Sequence, residues 1–537
     1  MPDSEPLFEL ELIDRIPADA KVVVYDGDDA GLAERYARIN PGHRWVPWTD
    51  AGALPDGVAD FVFLDRPLGM AEAAAAAVRR AATVLAPGGV LLARVINAQF
   101  HERLSARLGG NEPADPAYVP EMLAPLVRAA GLTPIASIAD DEDGAGATAF
   151  YRADPARMER LGVPEAGRAV RLAARTLLIQ AIRGPAPPPL FVHTRIRKRT
   201  IGANSAMSRV RLLEPLRCIN ALPNVTTSVE EDVLNSRPPQ RPRGVYIIQR
   251  PILRRPWGVD LLRGLMQRGF VVVVEFDDHP NFWPDIAAHD FLTYAGPHAV
   301  QTSTEPLAEV LRQYNPNVAV FRNDLRELPP PRLPRQGPIR IFYGSLNRTQ
   351  SIRPVTEAFN RVIKRSKQAV HTTVISDRWF FDQVAAGTKS FDDIVPHDRH
   401  RELVAEADIV LLPLHDTEFN RCKSDLSFVE AAARGAVVMA SPIVYGESVL
   451  DGQTGFIFRS PAEFEVKFER LLRDAGLRQR MGERARTYVQ EHRLLRNQYR
   501  ARYQWYLSLL EDKAALDRGV RERMPEIGWP PTDAQPS

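Results

Sequence analysis

Residues 420–441 have the sequence NRCKSDLSFVEAAARGAVVMAS, which predicts a turn, a helix and a short buried strand in that order. Ser424 and Asp425 are residue types that cap helix N-termini, and such a cap leaves backbone N–H groups free to face an anion. Gly435 ends the helix, because glycine readily adopts the backbone conformation found after a helix. Residues 436–440 form the next strand, so the stretch is typical of an α/β domain.

The charged side chains of this stretch suggest a nucleotide diphosphate as the anion. Lys423 supplies positive charge beside the helix start. Glu430 follows by almost two helical turns, a distance at which a carboxylate accepts hydrogen bonds from two ribose hydroxyls while the phosphates stay at the helix N-terminus. The alternative is an ordinary helix with Glu430 on the solvent face, since helix N-termini are far more common than anion sites.

Motifs on both sides of this helix resemble the donor-binding domain of GT-B glycosyltransferases, particularly those of family 4. Residues 441–458, SPIVYGESVLDGQTGFIF, are similar to the small-residue turn and "dG.tGfl" hairpin that close the nucleotide-sugar site in that family. Residues 407–414, ADIVLLPL, resemble its "aDi.l.P" strand. Gly344, Ser345 and Arg348 follow an apolar strand, where the family places a glycine and a basic residue near the donor diphosphate. The likeness extends over residues 337–490.

The sequence departs from the family at one position. The family pairs two glutamates as E-x7-E, whereas Cys422 stands eight positions before Glu430. The chain instead has Asn420, Lys423 and Ser424, a pattern associated with a subgroup of bacterial surface-polysaccharide and glycan transferases. No role is therefore carried over for the first glutamate.

Composition restricts the classes of protein that this chain can be. With 537 residues, 45% hydrophobic and 25% charged, the chain is long enough for three soluble globular domains. A net charge of +2 argues against a nucleic-acid-binding surface over the whole chain. The two cysteines lie far apart and indicate no disulfide framework. The start MPDSE is no signal peptide and no apolar run is long enough to span a bilayer, so we expect a cytoplasmic protein, with any membrane contact peripheral at the inner face.

Proline-rich stretches divide the chain. Residues 184–189, GPAPPP, and 329–334, PPPRLP, are typical of stiff extended linkers. The predicted fold class is α/β: a GT-B fold of two facing Rossmann-like domains, preceded by a third, shortened methyltransferase-like Rossmann domain. The predicted segments are a degenerate methyltransferase-like domain (1–183), a linker (184–190), an acceptor domain (191–328), a donor domain (337–493), a helix that crosses back to the acceptor domain (494–512) and a disordered tail (522–537).

The middle segment carries candidate acceptor-side residues. Residues 269–276, GFVVVVEF, predict a strand buried on both faces of a parallel sheet, and Asp277, Asp278 and His279 follow at its carboxyl end, where open α/β sheets bind ligands. Asp278 or His279 could orient the acceptor hydroxyl or the donor sugar; alternatively, Asp277 or Asp278 caps the next helix or turn. Adjacent carboxylates are not a D-x-D motif, and the resemblance implies a diphosphate bound by cationic side chains and helix dipoles instead of a metal.

A basic run follows the first linker. It includes Arg199 and Arg209 and surrounds Asn204. A phosphate-bearing acceptor, a lipid-phosphate surface or the donor diphosphate would suit such a loop at the cleft. A solvated basic loop is the alternative.

The N-terminal segment resembles S-adenosylmethionine-dependent methyltransferases in residues 84–95, VLAPGGVLLARV, which are similar to the motif "vLkPGG.lli.v". That family uses closely spaced glycines to bring backbone near the cofactor, but Asp28 and Asp29 occupy the corresponding turn here. We therefore expect a scaffold or dimerisation role, with active methylation as the alternative.

The resemblance implies a retaining, metal-independent glycosyltransferase that needs no cofactor. It would move a sugar from a nucleotide-diphosphate donor to a glycan, lipid-linked or protein acceptor. The alternatives are a non-catalytic nucleotide- or glycan-binding subunit and a bifunctional methyltransferase-glycosyltransferase; a homodimer is left open. The predicted site residues are Lys423, Arg348, Asp278 and His279 for catalysis, Gly344, Ser345, Asn420, Ser424, Asp425, Leu426 and Glu430 for the donor, and Arg199, Asn204 and Arg209 for the acceptor or a phosphate.

Overall fold

The computed structural model describes residues 10–108, 111, 115–155, 158, 161, 163–165, 168–197, 206–232, 243–332, 336–344, 348–385 and 387–528. The chain forms two compact units. The N-terminal unit comprises Leu10–Pro189 with Asn220–Val225, and the C-terminal unit comprises Leu190–Ile219 with the chain from Thr226 onward.

The N-terminal unit is built on a six-stranded sheet with the order β2-β1-β3-β4-β6-β5. The strands β1 to β4 run parallel, and β6 is antiparallel to both β4 and β5. Runs of valine and phenylalanine form the central strands because both faces of the sheet are covered. The strands are β1 (Val22–Asp26), β2 (Arg44–Pro47), β3 (Ala59–Leu64), β4 (Leu85–Ile96), β5 (Thr133–Glu142) and β6 (Ala174–Ile182).

Helices of this unit pack on the sheet through apolar faces with helical spacing. Ala74, Val78 and Ala81 of α2 recur every three to four residues and are fully buried in the core. The helices are α1 (Leu32–Ile39), α2 (Ala71–Val84), α3 (His101–Leu108), α4 (Pro120–Arg128), α5 (Gly144–Ala153) and α6 (Arg168–Ala173), with 3-10 turns at Leu12–Arg15 and Trp48–Ala53.

The first half of the C-terminal unit contains a sheet with the order β12-β11-β10-β9-β7-β8. Neighbouring strands from β12 to β7 are parallel. The strands are β7 (Leu190–Arg197), β8 (Val225–Asp232), β9 (Val245–Gln249), β10 (Val271–Glu275), β11 (Ala299–Thr302) and β12 (Val318–Val320). The helices are α7 (Ala206–Ser208, Arg209–Leu213 and Glu214–Asn220, the middle stretch π-helical), α8 (Trp257–Gln267), α9 (Pro284–Ala287), α10 (Leu292–Ala295) and α11 (Glu305–Arg312), with a 3-10 turn at Pro280–Phe282.

The second half has a fully parallel sheet with the order β15-β14-β13-β16-β17-β18 and an apolar cluster on each face. The strands are β13 (Ile339–Gly344), β14 (Val370–Ile375), β15 (Thr388–Asp392), β16 (Ile409–Leu412), β17 (Val437–Ala440) and β18 (Phe456–Ile457). The helices are α12 (Thr349–Arg365), α13 (Arg378–Gln383), α14 (His397–Glu406), α15 (Glu418–Arg421), α16 (Leu426–Ala433), α17 (Pro442–Tyr445), α18 (Pro461–Arg473) and α19 (Ala475–His492).

The last helices return from the second half to the first. They are α20 (Tyr499–Glu511) and α21 (Lys513–Arg523), preceded by a 3-10 turn at Leu495–Asn497. The hydroxyl of Tyr506 donates to Gln301 Oε1 at 2.8 Å, and His298 Nε2 lies 2.8 Å from Asp517 Oδ1. Two doubly wound halves joined in this way form the arrangement predicted as GT-B, and the predicted α/β fold class is confirmed. Within the described ranges, no helix is both long and apolar enough to span a bilayer.

The predicted disorder of residues 522–537 is wrong for residues 522–528. The helix α21 extends to Arg523, and Pro525–Ile527 form a 3-10 turn. Met524 and Ile527 are buried in an apolar cluster with Leu262 and Leu265 of α8. The proline-rich composition suggested a disordered tail. The segment is ordered instead because the side chains of Met524 and Ile527 are buried in this apolar cluster. Residues 529–537 lie outside the described part of the chain.

We expect Ile527→Ala to destabilise the C-terminal unit by about 2–5 kcal/mol, because it removes a fully buried side chain and leaves a cavity. The measurement is the melting temperature by scanning calorimetry. The control is Glu522→Ala, an exposed position of the same segment that should change stability by less than about 0.5 kcal/mol. Equal melting of both variants and wild type would mean that the segment is not packed as described.

Candidate functional site

The helix α16 begins at Leu426, directly after Asp425. Asp425 occupies the N-cap position, but its side chain makes no capping hydrogen bond. Its carboxylate accepts instead from Arg493, at 2.5 and 2.8 Å, and from Ser448. Ser424 Oγ accepts from the side-chain amide of Asn323 at 2.8 Å. Asp425 therefore occupies an N-cap position as predicted, whereas Ser424 lies one residue before it, and the Asp425 side chain leaves the N–H groups of the first helical turn uncapped. Anion binding by these N–H groups stays a prediction.

Arg493 connects this helix start to the junction between the two halves. Its side chain is 2% exposed, and its Nε donates to Asp324 Oδ1 at 2.7 Å while the other nitrogens reach Asp425. Burial alone would lower the pKa of Arg493, but the hydrogen bonds and charges of Asp425 and Asp324 raise it. Burial likewise opposes ionisation of Asp425, yet Arg493 lowers the pKa of that carboxyl below its usual value. Burial raises the pKa of Asp324, although the charge of Arg493 opposes that rise. The three side chains form a buried, hydrogen-bonded triad.

Arg348 occupies the N-cap position of α12, and its side chain is linked to the first turn of α16 through Tyr445. The buried hydroxyl of Tyr445 has hydrogen bonds with the side chains of both Arg348 and Ser427, the second residue of the helix. Burial raises the pKa of Tyr445, although the positive charge of Arg348 opposes that rise. The structure therefore brings one predicted catalytic cation to the helix N-terminus.

Gly344, the last residue of β13, is confined between two rings. A Cβ added there would lie 2.7 Å from the ring of Phe342 and 3.4 Å from His400 Nε2. The close approach of His400 therefore depends on the glycine. Ser345 lies outside the described residues.

Lys423 is held by a carboxylate of the other half. Its Nζ lies 2.5 Å from Asp278 Oδ1 and 4.1 Å from the centre of the Phe419 ring. The second oxygen of Asp278 accepts from Arg250. The predicted catalytic residues Lys423 and Asp278 are thus in direct contact.

Asp278 belongs to a buried charge network that the sequence did not reveal. Arg211 is buried and pairs with Glu275 and Asp277. Arg250 pairs with Asp277 and Asp278, and its backbone has φ +44°, a conformation that non-glycine residues seldom adopt. Burial favours neutral Asp277, but the charges of Arg211 and Arg250 lower the pKa of that carboxyl. Burial raises the pKa of Glu275.

His279 forms the turn after this network. Its Nδ1 accepts the N–H of Asn281 at 3.2 Å, so Nε2 carries the proton, and Nε2 lies 3.1 Å from Glu418 Oε1. The capping considered for Asp277 or Asp278 is therefore made by His279. Within the described ranges, no three His, Cys, Asp or Glu side chains are grouped to hold a metal ion.

Glu430 lies further along α16 and does not face solvent. Its side chain is 11% exposed, and His397 Nε2 lies 3.0 Å from its Oε1. Burial would raise the pKa of Glu430, but the hydrogen bond with His397 and the nearby charge of His400 lower it. The alternative of a solvent-facing Glu430 is wrong. His397 follows a strand far away in sequence, and no local pattern marked it as the partner of Glu430.

The other predicted site residues have structural partners. The Asn420 amide donates to the carbonyl of His415 at 2.9 Å, and Leu426 packs on the apolar cluster beneath α16. Arg209 pairs with Glu214 at 3.1 Å and with Asp398 of the second half at 2.8 Å. Arg199 and Asn204 lie outside the described residues. A ligand role for these positions stays a prediction.

Cys422 carries no negative charge at the position where the E-x7-E pattern has its first glutamate. It is buried in an apolar cluster with Val274 and Phe276 of the first half. Burial raises the pKa of the Cys422 thiol to about 11, so the group is neutral near pH 7. Cys218 is also buried, and neither cysteine forms a disulfide.

The turn after β1 in the N-terminal unit is closed by its own side chains. Arg66 Nη2 lies 2.7 Å from Asp28, and Arg35 pairs with Asp29 at 2.8 Å. The ring of Tyr25 fills the space where a Cβ of Gly27 would lie. These residues therefore do not fit the approach of backbone to S-adenosylmethionine that the methyltransferase resemblance would require.

Comparison with protein families supports one of the resemblances. A family model described as glycosyl transferase-like matches residues 348–507. The predicted similarity to glycosyltransferases is confirmed over that segment, which includes Arg348, Lys423 and Glu430. No curated protein matches the chain.

Solved structures of glycosyltransferases resemble the chain at low identity. TarM of S. aureus, solved with fondaparinux, α-GlcNAc-glycerol and UDP, is 14% identical over 50% of this chain and 55% of its own, with a TM-score of 0.37. A glycosyltransferase from Rickettsia africae is 13% identical over 61% and 100%, with a TM-score of 0.44. HepE of Anabaena, solved with UDP and glucose, is 11% identical over 60% and 100%, with a TM-score of 0.42. The chain spans about half the length of the TarM chains that it matches.

We expect Arg493→Met to destabilise the C-terminal unit by about 3–5 kcal/mol, because it leaves two buried carboxylates without their common partner. The measurement is the calorimetric melting temperature. Arg322→Met is the matched control: Arg322 is 56% exposed and lies 3.9 Å from Asp324, so its loss should cost less than about 1 kcal/mol. Similar effects of the two substitutions would contradict the triad.

Proposed function

We propose that the protein is a glycosyltransferase that moves a sugar from a nucleotide-diphosphate donor to a glycan, lipid-linked or protein acceptor. The observation that carries the proposal is the start of α16. Its first-turn N–H groups have no capping side chain from Asp425, Arg348 contacts that turn through Tyr445, and Lys423 precedes it. The glycosyl transferase-like match over residues 348–507 supports the same class.

Charge develops on the leaving diphosphate as the glycosidic bond breaks. Arg348 and Lys423 would stabilise this charge, and the dipole of α16 would add to it. We propose retention of configuration, with the leaving phosphate assisting deprotonation of the acceptor on the same face. No metal takes part in this scheme.

Glu430 would bind the ribose of the donor. Its Oε1 lies 3.0 Å from His397, which fixes the orientation of the carboxylate and leaves Oε2 as the acceptor for ribose hydroxyls. His397 would thus act through Glu430 and not on the donor itself.

The acceptor would approach from the first half of the C-terminal unit. Asp278 and His279 follow β10 at the edge where parallel sheets bind ligands. Within the described residues, Arg209 reaches the second half through Asp398 and borders the same cleft.

We propose a cytoplasmic location in a bacterial surface-glycan or glycoconjugate pathway, with peripheral contact at the inner face of the membrane. Two buried thiols support a reducing compartment.

We expect Glu430→Ala to weaken binding of the nucleotide sugar about 5- to 150-fold, through loss of charge-assisted hydrogen bonds to ribose. A calorimetric screen of UDP-, GDP-, ADP- and CDP-sugars identifies the donor, and the variant is then titrated with it. Glu402→Ala is the control, because Glu402 is exposed and pairs only locally with Arg399 among its described contacts. Unchanged affinity in folded Glu430→Ala would assign Glu430 a structural role.

A second candidate function is a non-catalytic nucleotide- or glycan-binding subunit. The neutral Cys422 in place of the family glutamate favours it. Donor hydrolysis discriminates between the two: a transferase slowly hydrolyses its nucleotide sugar, whereas a binding subunit leaves it intact.

For the N-terminal unit we propose a methyltransferase-like scaffold or a dimerisation role without methylation. We expect S-adenosylmethionine at millimolar concentration neither to bind nor to raise the melting temperature, because the Asp28 and Asp29 ion pairs close the turn and would face its carboxylate. Titration calorimetry of the full chain tests this. A micromolar dissociation constant would support the bifunctional alternative.

A further inference from the structure

Lys423 and Asp278 form an ion pair between the two halves of the C-terminal unit. The distance between Nζ and Oδ1 is 2.5 Å, and the side chains are 21% and 8% exposed. Lys423 immediately precedes Ser424 at the start of α16, whereas Asp278 follows β10 of the other half. The cation that the proposed function assigns to the diphosphate is therefore already neutralised by a carboxylate.

Asp278 also pairs with a second cation, the guanidinium of Arg250. Its Oδ2 accepts from Arg250, which also pairs with Asp277. If Lys423 turned away, Asp278 would still be paired with Arg250, so its separation from Lys423 would leave it with a cationic partner. A diphosphate carries more negative charge than one carboxylate and is a strong competitor for an ammonium group.

Other contacts join the two halves beside Lys423 and do not involve its side chain. The rings of Phe282 and Phe419 lie 4.7 Å apart, and Thr304 Oγ1 donates to the carbonyl of Cys422 at 2.9 Å. The flexible lysine side chain can therefore change partner while the backbone on both sides stays in place.

From these contacts we propose that Asp278 holds Lys423 in the free protein and that the donor diphosphate takes Lys423 from it. The proposal rests on the proposed glycosyltransferase function. Asp278 competes with the diphosphate, and its Oδ1 becomes free only when the donor is bound. The freed oxygen then accepts a hydrogen bond from the acceptor hydroxyl, so the donor binds before the acceptor.

Titration calorimetry with UDP, GDP, ADP and CDP tests the competition. Asp278→Asn keeps the size of the side chain and removes its charge, so we expect about tenfold tighter binding of the nucleotide that wild type prefers. Turnover should fall in the same variant, because the uncharged amide oxygen of Asn accepts a weaker hydrogen bond from the acceptor hydroxyl than a carboxylate oxygen does. In the Lys423→Ala background, Asp278→Asn should change the affinity less than twofold.

Glu418→Gln is the matched control. It weakens another contact between the same two segments without releasing Lys423 from Asp278. Glu418 contacts His279 across the same two loops and does not contact Lys423 in the described structure. Its substitution should leave the nucleotide affinity within about twofold of wild type. If circular dichroism shows that Asp278→Asn is unfolded, Asp278→Ser replaces it with the same criteria.

Three results would overturn the competition: equal or weaker nucleotide binding by Asp278→Asn, an equal gain in Glu418→Gln, or a gain that persists without Lys423. In each of them wild type still binds nucleotide, so the proposed function stands while this inference fails. Absence of binding of all four nucleotides to wild type would overturn both.

Discussion

The buried triad of Arg493, Asp324 and Asp425 is the constraint on which the candidate site depends. Asp324 lies at the junction of the two halves, Asp425 at the N-cap of α16, and Arg493 at the end of α19. Leu325 and Leu494 are bridged directly beside it, so the chain entering the second half and the chain leaving it are joined at one point. Because one guanidinium serves both carboxylates, the helix start cannot shift without breaking a buried ion pair.

This arrangement determines which groups are available to a ligand. Asp425 is committed to Arg493, so its side chain does not cap the first-turn N–H groups of α16. Lys423 and Glu430, the two charged side chains with proposed ligand roles on this segment, are partnered by Asp278 and His397. Under the proposed function, Lys423 would exchange Asp278 for the diphosphate while Glu430 keeps His397, so charges would stay compensated before and after binding. The free-energy cost of desolvation on ligand binding would therefore be low, because no charged side chain would be buried without a partner.

The strands and helices around the site could be predicted from the sequence because their signals are local. The valine run of β10, the apolar strand β16 and the glycine after α16 each follow from short-range periodicity or backbone preference. Arg493, Arg211 and His397 could not be predicted, since each finds its carboxylate through the tertiary fold. The same reason explains the error at the C-terminus, where Ile527 in a proline-rich tail meets an apolar cluster. Asp425 is the N-cap residue that its type indicates, but its pairing with a buried arginine could not be predicted.

Because residue 422 is a neutral cysteine, the negative charge beside the start of α16 comes from a different residue. A glutamate there would belong to the second half alone, but Cys422 is neutral and packs on Val274 and Phe276 of the first half. The carboxylate nearest to Lys423 is instead Asp278, which the first half supplies and Arg250 orients. In the E-x7-E pattern the carboxylate beside the helix start belongs to the same domain as the helix. Here that carboxylate is Asp278, so its position depends on contact between the two halves. Cys422 and Lys423 are adjacent, so the same junction excludes water from the Cys422 thiol and pairs the Lys423 ammonium with Asp278.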